Sequence, residues 1–143
     1  MLLNEAVRQR LAQEYKFAAE RMREAPDLPS KMYFFSVFFA EGNRALNADW
    51  NPDIALLHMV LQSAYETING RIQTPIIVGS NLLGLPKGFA ESLTELSAKL
   101  ADLFDSHEID EEKLHQILVR LAELTYVTTG NGYYLYLRGA IKL

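Results

Sequence analysis

The sequence predicts an all-α protein, a single-domain bundle of about six or seven helices spanning residues 1–143. Three observations carry that expectation. Apolar residues recur at spacings of three and four along most of the chain. Pairs such as Asn51-Pro52, Thr74-Pro75 and Asn69-Gly70 punctuate it with helix starts and stops. The length of 143 residues suits one domain, and no repeat, low-complexity tract or linker divides it.

The first helix is expected over residues 2–25. Leu3, Val7, Leu11, Tyr15, Ala18 and Met22 form its apolar stripe. Glu5, Arg8, Arg10, Glu14, Lys16, Glu20, Arg21 and Arg23 fill the other side. Pro26 and Pro29 then break the helix. Ser30 is the expected N-cap of a second helix over 31–46. It contains the run Met32-Tyr33-Phe34-Phe35-Ser36-Val37-Phe38-Phe39-Ala40, which holds four of the seven Phe residues. A helix that is apolar all round must be covered on every side, so this one is either central core or subunit contact. Gly42 marks a kink or a close approach of another helix.

A loop from Asn47 to Asn51 carries Trp50, either as an anchor over the bundle end or as an exposed contact. The third helix is expected over 52–70, opened by Asn51-Pro52 and closed by Asn69-Gly70. Ile76 to Leu83 reads as a short buried helix, although its β-branched trio Ile76-Ile77-Val78 also suits a strand. After a turn at Gly84–Gly88, a helix over 89–107 presents Leu93, Leu96, Leu100 and Leu103/Phe104. Asp110 caps the next, lined by Leu114, Leu118, Leu121 and Leu124. Glu111 and Glu112 suit the dipole of its first turn. The C-terminal segment is either a short helix or a small hairpin, the latter pairing Tyr126-Val127-Thr128 with Tyr133–Arg138 around Asn131-Gly132.

Composition narrows the function classes. A net charge of −4 and a pI near 5.4 do not make a basic face, so nucleic acid is not an expected partner. The four arginines of the first helix are interleaved with acids. No apolar run reaches the roughly 18 to 20 residues that cross a bilayer, so no membrane partner is expected. Met1–Glu5 lacks the basic-then-apolar pattern of a secretory leader. The sequence has no cysteine, which removes thiolate metal sites and cysteine nucleophiles and fits a cytoplasmic location.

Phosphate-binding loops, dinucleotide fingerprints and nucleophile elbows are absent from the sequence. Glu112-x-x-His115 has the spacing of di-iron bundle ligands, but those bundles need two such pairs and two more inward glutamates. The acids Glu91, Glu95, Asp102, Asp105, Glu108, Asp110, Glu111 and Glu112 are irregularly spaced and read as a solvated face. No metal or cofactor is expected.

The sharpest polar constellation lies on the third helix, where His58, Gln62, Glu66 and Asn69 step by four, four and three. Glu41 and Arg44 end the second helix on one side. Together, His58, Glu41 and Arg44 would supply a base, its orienter and an anion clamp. The plainer reading is a wet helix side and a surface ion pair.

The expected function is therefore that of a non-enzymatic helical homo-oligomer, a dimer above all, or a protein-interaction module. Its contact elements would be the Phe-rich helix and the tail Tyr133, Tyr134 and Tyr136. The alternative is a small enzyme or ligand-binding protein with a pocket between helices two and three, built from Glu41, Arg44, His58, Glu66 and Arg71.

Overall fold

A computed structural model describes residues 3–73 and 88–129, together with the backbone of two short strands between them. Five α-helices are described: α1 (Glu5–Glu24), α2 (Leu28–Ala48), α3 (Ala55–Gln73), α4 (Phe89–Phe104) and α5 (Glu111–Thr129). A single 3-10 turn, Pro52–Ile54, leads into α3. The described residues are all-α in their helices as expected, but they hold five helices and do not confirm the expected six or seven.

Two expected elements differ. At its described positions the segment around Ile77 is not helical: β1 (Ile77–Val78) pairs antiparallel with β2 (Asn81–Leu82), with Val78 opposite Asn81. The β-branched residues that suited a strand prevail there over the helix-start signal before them. Tyr126, Val127 and Thr128 belong to α5, which removes them as a hairpin strand. Residues 130–143, with the Tyr-rich tail, lie outside the described residues.

Caps explain where the helices begin. Asn4 Oδ1 accepts the N–H of Ala6 and opens α1. Asp27, not Ser30, caps α2: its Oδ1 accepts the N–H of Ser30 at 2.8 Å. Pro29 then falls in the first turn, where its missing N–H costs nothing, so a residue expected to break the chain instead starts a helix. This carboxylate is held below its usual pKa, chiefly by the Ser30 backbone N–H. Asn69-Gly70 does not stop α3, which continues to Gln73. Gly88, at φ +74°, turns the chain into α4, and Asp110 caps α5 through the N–H of Lys113.

The helices close a ring of neighbours in the order α1, α2, α3, α5, α4 and back to α1. Hydrogen bonds and ring contacts such as Arg10 with Glu41 and Phe17 with Phe38 make α1 and α2 antiparallel. Asn47 with His58 and Asn43 with Leu61 do the same for α2 and α3. Tyr15, Phe35, Phe39 and Phe104 are fully buried. Their rings meet at centroid distances of 4.1 Å for Phe35–Phe39, 4.8 Å for Tyr15–Phe39 and 5.9 Å for Tyr15–Phe104. Burial of each such side chain contributes roughly 1.5–3 kcal/mol.

Because α1 is covered by both α2 and α4, its buried surface is wider than the sequence stripe. Arg8 and Glu14, expected on the solvent side, are buried. Arg8 is held by Glu5 at 2.5 Å and donates to the carbonyl of Phe104, one of the carbonyls left open at the end of α4. Gly42 sits where α1 crosses α2. A Cβ there would lie 3.3 Å from Tyr15 Oη and 3.4 Å from Leu11 Cδ2, so the close-approach reading of this glycine is the one the packing requires.

Candidate functional site

The Phe-rich helix was expected to be core or contact; one of its sides is core and the other lies at the surface. Met32, Phe35, Phe39, Gly42, Asn43 and Leu46 are buried against α1 and α3. Tyr33, Phe34, Val37 and Phe38 lie on the other side, stepping by one, three and one. Tyr33 is 61% exposed and Val37 37% exposed, while Phe34 and Phe38 are half-buried.

These side chains form a connected strip. Tyr33 meets Phe34 edge-on with centroids 5.4 Å apart, and Phe34 stacks on Phe38 at 6.5 Å. Phe38 in turn meets Phe17 of α1 at 5.9 Å. Phe17 is the one large apolar residue on the charged side of α1, and that misplacement was its signal in the sequence. Leu28 is a further exposed apolar residue, at the first turn of α2. A run of apolar side chains left at the surface marks a contact site more often than isolated ones do. Trp50 is 54% exposed, which selects the exposed option for it.

The polar candidates are distributed among different neighbours. His58, half-buried at the start of α3, places Nε2 against Asn47 Oδ1 of α2. Glu41 faces α1 rather than α3: its Oε2 accepts from Arg10 at 3.1 Å and its Oε1 from Arg44 at 2.7 Å. Arg10 also binds Glu14 at 2.8 Å. Glu14, Arg10, Glu41 and Arg44 therefore form an alternating chain of charges that links α1 to α2. Arg44, at its end, is 75% exposed. Links of this kind contribute about 0–1 kcal/mol each. Gln62 donates to Glu66 at 2.8 Å one turn along α3, Asn69 is half-buried, and the side chain of Arg71 lies outside the described residues.

Two grooves lie elsewhere. One of about 460 Å³ runs between α4 and α5, lined by apolar residues such as Leu96 and Ile117 and by charges of both signs, among them Lys113, Arg120, Asp102 and Asp110. The other runs along α1 and α4 over Ala12, Ala19, Ala98 and Ala101. Glu112 and His115 are both exposed on α5. Among the described residues no three His, Asp or Glu side chains are grouped to hold a metal, and no helix is long and apolar enough to cross a membrane.

Comparison of the chain with protein-family models, with curated proteins and with solved structures finds no match.

Proposed function

We propose that the chain is a non-enzymatic helical contact protein, which self-associates or binds a protein partner through the outer side of α2. The observation that carries this reading is the connected strip Tyr33–Phe34–Phe38–Phe17, with Val37 beside it. Three aromatic rings and a valine on one helix side bind a partner at low entropic cost, because each has few rotors to freeze. The acidic net charge favours protein over nucleic acid as that partner.

The alternative, a pocket between α2 and α3 built on Glu41, Arg44, His58 and Glu66, has less support. Glu41 is engaged by Arg10 of α1 and by Arg44 of its own helix, and His58 is engaged by Asn47.

Light scattering on the purified, untagged chain over a wide concentration range tests the reading. The expected result is a particle of at least twice the 16.2 kDa of one chain. A mass that stays at one chain throughout overturns self-association and makes the His58 side the place to search for a ligand.

A further inference from the structure

We propose that the partner of α2 is a second copy of the chain, docked on the same helix face and running antiparallel to it. This rests on the reading of that face as a protein-contact surface and adds its occupant and orientation.

The argument starts from the order of residues along the face. Ser30, Tyr33, Phe34, Val37, Phe38, Glu41 and Arg44 follow one another along its outer side, and the exposed cap residue Asp27 stands just before them at the helix start. Their spacing is a palindrome about the point midway between Phe34 and Val37. A two-fold axis there sets Phe34 against Val37 of the second copy and Tyr33 against Phe38. Next outward, Ser30 faces Glu41, and Asp27 faces Arg44. An isologous contact requires self-complementarity of this kind.

Charge selects the orientation. Antiparallel, the exposed guanidinium of Arg44 comes to the helix start that carries the acidic cap Asp27, and Glu41 comes to the neutral Ser30. Parallel, Arg44 meets Arg44, Glu41 meets Glu41 and Asp27 meets Asp27, so every charged position on the face opposes its like. Antiparallel helices also place each N-terminus beside the other's C-terminus, which their dipoles favour. The four apolar residues in the middle then cover each other, and no second type of partner is needed to remove them from water.

The absence of cysteine from the sequence permits cross-linking without background. Across this axis two copies of residue 37 are offset by about 4.5 Å along the helix, while two copies of residue 44 are offset by about 26 Å. Under mild oxidation, Val37→Cys is therefore expected to give a covalent dimer and Arg44→Cys is not. Ser30→Cys and Glu41→Cys are expected to cross-link when the two variants are mixed and not when each is alone. The double variant Phe34→Glu/Val37→Glu is expected to keep the helical circular-dichroism signal and lose the dimer mass. A dimer in which Arg44→Cys or Glu41→Cys cross-links to itself is parallel; it overturns this inference and leaves the contact reading standing. A monomer at every concentration overturns this inference and self-association with it, and a dimer untouched by the double glutamate variant overturns this inference and the contact reading of the α2 face.

Discussion

The inner and outer sides of α2 are built from the same kinds of residue and have opposite fates. Phe35 and Phe39 are fully buried, with rings packed on each other and on Tyr15. Tyr33 and Val37, each two positions from Phe35, stand at the surface. Composition does not separate the two sides; the neighbours do. Among the described residues α1 and α3 cover only part of the helix circumference, so an apolar run is left with one covered side and one at the surface. The lesson is that apolar content fixes how much surface a helix must hide, whereas the packing of its neighbours decides how much remains for a partner.

The largest effect that can break this comparison is expected at Phe39. Phe39→Ala leaves a cavity among Tyr15 and Phe35 and is expected to cost about 3–5 kcal/mol, read from the urea midpoint. Val37→Ala, measured at concentrations too low for association, is expected to stay within about 0.5 kcal/mol of the parent. Equal costs at the two positions would mean that the outer side is core after all.

A finer test lies where α1 crosses α2. Tyr15 Oη is buried and makes no hydrogen bond to a protein group, and burial raises the pKa of this phenol. Tyr15→Phe therefore loses no such bond and is expected to change stability by less than about 1 kcal/mol. Gly42→Ala gains about 1 kcal/mol of helix propensity but presses a methyl group on that hydroxyl. It is expected to be neutral or destabilising alone and stabilising beside Tyr15→Phe, with a coupling of about 1 kcal/mol in a double-mutant cycle. Additive effects would remove the hydroxyl as the tight contact.

The smallest expected effect concerns the start of α2, which holds both sides in register. The pKa of Asp27 is lower in the folded chain than in the unfolded one. Its stabilising effect is thus complete above the ordinary carboxylate pKa and is lost as pH falls through the lowered value. Asp27→Asn keeps a capping oxygen that does not titrate. The thermal midpoint of this variant is expected to fall less than the parent's below about pH 4. Parallel acid profiles for the two proteins would show that the cap does not titrate with folding.

How much the sequence disclosed follows the same division. The helices α1, α4 and α5 were legible because each carries its apolar residues on one stripe, and Asp110 was legible as the cap of α5. In α2 the run 32–40 has no polar residue to break the symmetry apart from Ser36, so periodicity could not say which phenylalanines face inward. Asp27 was hidden by the two prolines around it, since proline breaks a helix interior but fits its first turn. The candidate polar site was legible only as a line on one helix. Its partners Asn47 and Arg10 come from other elements, and spacing along one helix carries no information about them.

The clasp between Arg8 and the end of α4 spans 96 residues of chain. Tyr15 also touches Phe104, so α1 depends on a helix made long after it. At about 5–20 residues per second, a ribosome needs roughly 5 to 20 seconds to supply that second half. During this interval α2 can fold back and cover one flank of α1, while the flank carrying Arg8 waits. Helical bundles usually fold through near contacts, and this one stores a long-range contact at its first turn. The newly made chain is therefore most in need of protection at Arg8, and Tyr15, already covered by α2, gains its last ring neighbour only when Phe104 arrives.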